Sequence, residues 1–223
     1  PSLLSSGVLG RLLDAGFTYA SVSNADNLGA TPDPRLAGWF AASGAPYAAE
    51  LSRRTPADRK GGHLAVRRSD RRLVLRDTAM TAPEEMHHFT DEHRHPFFHT
   101  NNLWFHLERL HEVLVARRGV LGLPLIRNVK TVDPTDAASP KVVQIETAMG
   151  TAIESFDGAA PILVERARFL PVKTTDDLLV LRSDAYEIGA DAVPRLTVEQ
   201  APVARLDPRF YRFVDDFDAR FPE

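Results

Sequence analysis

The sequence of 223 residues predicts an α/β fold, a mixed but largely parallel sheet flanked by helices. Strand-like runs rich in β-branched and aromatic residues alternate with segments whose apolar residues recur at helical spacing. Extra hairpin-like strand runs between 46 and 77 suggest a mixed sheet or an inserted subsheet.

In chain order, Leu4, Val8 and Leu12 recur at i, i+4, i+8 and place an opening helix closed by Gly16. A strand covers 18–23. A helix runs from Asp33 through Trp39 and Phe40 to Gly44. PYAAELS (46–52) reads as a strand. HLAVRR (63–68) and RRLVLRD (71–77) read as paired strands joined at Ser69 and Asp70. The polar, histidine-rich stretch 83–95 predicts a short helix and a loop. In NNLWFHLERLHEVLVARR, Leu103, Leu107, Leu110 and Leu114 share one helical face. LPLIRN (123–128) and KVVQI (141–145) are strand-like, with the loop VDPTDAASP between them. ETAMGTAIESF predicts a helix with Met149, Ala152 and Phe156 inward, and 161–166 another strand. Thr174, with Asp177 three residues on, forms a capping-box pattern that opens a helix. Beyond Ile188 the chain is proline-rich and less periodic. The domain reading is one body over 1–188 and a linker or peripheral arm over 189–223.

Composition narrows the classes. Hydrophobic residues make up 43% and charged ones 26%, enough apolar material for a sizeable core. The formal net charge of −3 provides no basic field to attract nucleic acid or an anionic membrane. There is no cysteine, which excludes disulfide and thiolate chemistry and suits the cytoplasm. No apolar run approaches the ~20 residues of a membrane span.

The first candidate site is the end of the 18–23 strand, where SVSNADNLGA replaces apolar residues with Asn24, Asp26 and Asn27. In open α/β sheets ligands bind beyond the carboxyl ends of strands. A carboxylate there suits a hard divalent cation that grips phosphate oxygens, and the two amides suit sugar hydroxyls. A plain Asn/Asp/Gly turn accounts for the same string and stays open at this point. Lys60, Gly61 and Gly62 allow close backbone approach to a phosphate, or a glycine turn into the next strand. Lys173 lies just before a helix N-terminus, an end that favours anions, or is simply solvated. Seven of the eight histidines lie between 87 and 111, but no H-E-x-x-H occurs and His106 and His111 do not stack on one helical face. A solvated polar segment is expected there rather than zinc. The paired arginines at 53–54, 67–68, 71–72 and 117–118 read as solvated surface.

The order of these strings carries more than any one of them. SVSNADNLGATPDP, RRTPADRKGG, FFHTNNLWFHL, LPLIRNVKTVDP, VVQIETAMGTAI and RFLPVKTTDDLLVLRSDAY resemble the UDP-glucose pyrophosphorylase family, UTP–glucose-1-phosphate uridylyltransferase, from about Phe17 to Tyr186. The resemblance implies a Rossmann-like, GT-A-like nucleotidyltransferase sheet, with 1–188 the central-to-late part of its catalytic domain. It implies magnesium as cofactor and UTP, glucose 1-phosphate and UDP-glucose as ligands, with no nucleic acid or membrane partner. Carried over by position, Asp26 holds magnesium, Asn24 contacts the nucleotide sugar and Asn101 binds the glucosyl group. Lys173 stabilises charge on the reacting phosphates, and Gly61 and Gly62 line the sugar side.

Departures from the family text are informative. The glycine-rich LNGGLGT loop that reads UTP, and the C-terminal β-helix domain, are not in these residues. The expectation is therefore an incomplete catalytic domain, inactive or very weak alone. His99 stands where Asn is usual and Met80 where Gln is expected. The other reading is a non-catalytic module that binds a sugar nucleotide or a metal.

Overall fold

The computed structural model describes residues 1–55, 58, 61–136 and 138–221. The chain forms two units, the first comprising 1–23, 32–130 and 142–165 and the second 24–31, 131–141 and 166–223. Lys60 lies outside the described residues.

The first unit opens with α1 (Ser2–Ser5) and α2 (Val8–Asp14), so the single helix expected there is two, separated at Gly7 with φ 73°. Next come β1 (Tyr19–Val22) and α3 (Pro34–Ser43). The Asp33 carboxylate caps α3 by accepting from the Arg35 N–H at 2.8 Å, and Pro34 takes the first turn, where no N–H is needed. Then follow β2 (Tyr47–Arg53), β3 (His63–Val66), β4 (Leu73–Arg76), α4 (Met86–Phe89), β5 (Phe97–His106) and α5 (Leu107–Ala116). β3 and β4 form the expected antiparallel pair, with His63 opposite Arg76. Later come β6 (Leu125–Thr131), β7 (Lys141–Thr147), a 3-10 helix over Met149–Ser155, and β8 (Ala160–Val164). β6 and β7 pair with each other.

The central sheet has the order β1-β5-β2-β8. It is mixed and flanked by helices, as the sequence predicts. Among the described residues β5 runs antiparallel to both β1 and β2, and only β2 with β8 is parallel. Residues alternate across the sheet. Tyr47, Ala49, Leu103 and Phe105 meet Leu9 of α2, the leucines of α5 and Ile153 on one face. Ala48 and Trp104 meet Phe40 of α3 on the other. Covering both faces explains why β2 opens with the consecutive buried apolar residues Tyr47, Ala48 and Ala49.

One helix prediction needs correction. Leu103 is not on a helix with Leu107, Leu110 and Leu114, because residues 97–106 form the central strand and the helix starts only at Leu107. Four-residue apolar spacing fits either element, and the run of aromatic residues before Leu107 favours a strand buried on both faces. The helix predicted over 146–156 is a 3-10 helix over Met149–Ser155, and its start is taken by β7. Ala152 and Phe156 are buried as expected. Arg54 is also buried rather than solvated, donating to the Phe89 and Gly61 carbonyls.

The second unit contains α6 (Thr175–Arg182), β9 (Tyr186–Ile188), β10 (Pro194–Leu196), α7 (Pro208–Tyr211) and α8 (Val214–Asp218). The capping box at Thr174 and Asp177 is present. Residues 189–223 contribute a strand antiparallel to β9, two short helices and the fully buried Phe217. Among the described residues no helix is long and apolar enough to cross a membrane.

Candidate active site

Residues beyond β1 turn sharply, with the Asn27 N–H donating to the Asn24 carbonyl at 3.1 Å. The turn then runs against 168–172 as a short ladder. The Leu28 N–H donates to the Leu170 carbonyl, Asn27 bridges Pro171, and the Val172 N–H donates to the Asp26 carbonyl at 2.9 Å. Gly29 is required here, because a Cβ on it would lie 2.4 Å from the Ala167 carbonyl oxygen. Asn27 is buried. Its amide nitrogen donates to the Arg168 carbonyl, and its Oδ1 accepts from the Leu170 N–H at 2.8 Å and the Gly29 N–H at 3.2 Å. Asn27 is thus a structural connector rather than a contact for sugar hydroxyls, correcting the expectation that paired it with Asn24.

The ladder sets Lys173 beside Asp26, with Nζ 3.9 Å from Oδ2. Two residues far apart in sequence are thus brought together. The Lys173 N–H donates to the Asp177 carboxylate at 2.9 Å, so the start of α6 fixes the lysine backbone while its ammonium stays exposed. The other Asp26 oxygen, Oδ1, is buried with no hydrogen-bond partner among the described residues. A buried carboxylate oxygen with free lone pairs is chemically suited to a hard cation. Among the described residues no group of three or more acidic or histidine side chains could hold a metal. Asn24 is exposed in the same turn.

Asn101, Gly61 and Gly62 belong to the other unit. Asn101 has φ 63°, the left-handed region uncommon for a residue with a side chain. It sits at a β-bulge. Ala49 pairs with Leu103 and Leu51 with His99, so three residues of β5, Thr100, Asn101 and Asn102, lie opposite Glu50 alone. His99 steadies the bulge, its Nδ1 accepting from the Asn101 N–H at 3.1 Å. Burial lowers the His99 imidazole to about 4, so at neutral pH the ring is uncharged and its proton sits on Nε2. The His99 N–H donates to the Gly62 carbonyl at 2.7 Å, which ties the glycine pair to β5. A Cβ on Gly62 would lie 3.0 Å from the Arg76 carbonyl oxygen and 3.1 Å from Asp77 Oδ2. Gly62 is thus tightly packed just before β3, beside Asp77, a carboxylate that no sequence pattern singled out.

The histidine-rich segment packs ring on ring. His63 stacks on His95 with centroids 3.9 Å apart, and the His87 and His88 rings lie 3.8 Å apart. Burial, followed by the neighbouring His95 and the Arg54 and Arg76 charges, pushes His63 down to about 3.

Solved structures with this architecture define the class. A UDP-glucose phosphorylase from Trypanosoma brucei superposes with a TM-score of 0.84 and 45% identity, over 97% of this chain and 47% of its own. A UDP-glucose pyrophosphorylase variant from Leishmania major, in complex with UDP-glucose, gives 0.83 and 44%, over 97% and 48%. The fold is thus of the sugar nucleotidyltransferase type. Residues 1–223 match the family UTP–glucose-1-phosphate uridylyltransferase, and the chain belongs to it. Among curated relatives, the UTP–glucose-1-phosphate uridylyltransferase of Saccharomyces cerevisiae is 37% identical and that of Hordeum vulgare 38%, each over 99% of this chain. The chain spans less than half the length of these relatives, 44% and 45%.

Proposed function

We propose that this chain supplies the metal-side and sugar-side residues of a magnesium-dependent uridylyltransferase that makes UDP-glucose and pyrophosphate from UTP and glucose 1-phosphate. The observation that carries the reading is the Asp26–Lys173 pair, with one carboxylate oxygen facing the ammonium and the other buried without a hydrogen-bond partner among the described residues.

In the reaction an oxygen of glucose 1-phosphate forms a bond to the α-phosphorus of UTP. The bond to the bridging oxygen breaks, and pyrophosphate leaves with the electron pair. The protein's task is positioning and charge neutralisation. Lys173 donates to the phosphate oxygens as charge builds on them, and Asp26 holds magnesium. Bound magnesium supplies further charge neutralisation there. Asn24 contacts the nucleotide sugar. Asn101 binds the glucosyl hydroxyls, with Gly61 and Gly62 lining that side and Asp77 offering an acceptor beside them. A cytoplasmic setting belongs to the same proposal, supported by the cysteine-free composition.

The test is pyrophosphate release by the protein as its gene encodes it, supplied with UTP and glucose 1-phosphate. Magnesium-dependent turnover abolished by a chelator is the expected result. Binding of UDP-glucose without turnover would establish the non-catalytic module instead.

A further inference from the structure

A carboxylic acid in the middle of a central strand calls for an explanation. Glu50 is only 1% exposed, directly after the buried apolar run Tyr47, Ala48 and Ala49. Its two carboxyl oxygens each accept a side-chain hydrogen bond from β5: Oε2 from the Asn102 amide at 3.0 Å and Oε1 from the Trp104 indole at 2.9 Å. Its main-chain carbonyl accepts from the Thr100 hydroxyl at 2.9 Å, and that hydroxyl accepts in turn from the Asn102 N–H at 3.2 Å. These contacts flank Asn101 on both sides along the strand. Glu50 is also the single β2 residue facing the three-residue bulge. The bulge disrupts the regular ladder and leaves polar groups in a dry sheet, where each needs a partner. A left-handed asparagine persists only where its surroundings over-determine it.

We propose that Glu50 is a positioning residue for sugar recognition: it clamps the 100–104 segment so that Asn101 is presented in its left-handed conformation. This rests on the reading that Asn101 contacts the glucosyl group. Glutamine at this position keeps the size but replaces one acceptor oxygen with a donor. One of the two β5 contacts would then face a donor with a donor, and the clamp would fail on that side.

The test uses the whole encoded protein and measures dissociation constants for UDP-glucose and for UDP by calorimetry. Four proteins are compared: wild type, Glu50→Gln, Asn101→Ala and the double variant. UDP lacks the sugar, so a clamp acting through Asn101 weakens UDP-glucose by about tenfold while leaving UDP within about twofold, and adds little once Asn101 is already alanine. Equal weakening of both ligands, or full additivity with Asn101→Ala, would overturn the proposal and mark Glu50 as general scaffold. If Glu50→Gln does not fold, Asn102→Ala removes the other end of the same contact and is read by the same criteria. An Asn101→Ala protein that binds UDP-glucose like wild type would overturn the sugar-contact reading itself, and the clamp with it. Wild-type protein that binds UDP-glucose without turnover would defeat the catalytic reading alone and leave the clamp to be decided by the same ratios.

Discussion

The bulge around Asn101 and the turn around Asp26 deliver polar side chains from β-structure by opposite means. At Asn101 the strand itself is distorted, with three residues facing one, a left-handed backbone and a buried glutamate supplying acceptors. At Asp26 the strand has already ended, and a short ladder with the buried amide of Asn27 brings in Lys173 from 147 residues downstream (173 − 26). The neutral amide, proposed to read sugar hydroxyls, is held from beneath. The charged pair, proposed to act on phosphate, is held by its backbone, with the lysine side chain 59% exposed. Geometry is built into the first region, and charge is delivered by the second.

Changes in each region sharpen that contrast. Lys173→Ala should have the largest effect, lowering kcat by about 10²–10³ as expected for loss of one group that stabilises transition-state charge, with stability almost unchanged. Steady-state pyrophosphate release and thermal melting check the two halves of that statement. A loss of folding instead of rate would mean that the charged region is as structural as the bulge.

Acid should act mainly through the first unit. His99 is held at about 4, below the ordinary histidine value, so the unfolded chain binds its proton first as pH falls. Stability contributed by the neutral ring is present above about pH 6.5 and is lost progressively toward pH 4, by about 3 kcal/mol for a shift of this size. His63, held lower still, adds to the same slope. Chemical denaturation across pH 4–7 should therefore show a shallower dependence in His99→Asn than in wild type. An unchanged slope would assign the acid sensitivity elsewhere.

Asn27→Ala leaves the buried Gly29 N–H and the half-buried Leu170 N–H without their side-chain acceptor, which should destabilise the protein by about 1–3 kcal/mol. It should also raise the requirement for magnesium, since Asp26 shares that ladder. Denaturant melting and a magnesium titration of the rate test the two effects together.

The smallest effect isolates backbone strain. Asn101→Ala and Asn101→Gly remove the same amide, but alanine at φ 63° carries a left-handed penalty that glycine avoids. The alanine variant should be less stable by about 1 kcal/mol, with the two equally impaired in sugar binding. Equal stability would mean the bulge relaxes once the amide is gone.

Much of this was legible in the chain. The SVSNADNLGA string marks a strand end, and Thr174 with Asp177 marks a helix start, because capping and turn chemistry act between near neighbours. The family resemblance selected Asp26 and Lys173, and the structure sets them 3.9 Å apart. The role of Asn27 was not legible, since exposed and buried amides look alike in sequence. Nor was that of Glu50, whose partners lie 52 and 54 residues away.

Sequence alone determined the alternation of strands and helices, the caps of α3 and α6, the paired β3 and β4, and the polar end of β1. All of these follow from local propensity and short-range hydrogen bonding. Tertiary structure decided that residues 97–106 form a strand, that the sheet pairs mostly antiparallel, and that Asn101 stands on a bulge. Apolar spacing around Leu103 is degenerate between helix and strand, and only pairing with β1 and β2, with both faces covered, selects the strand.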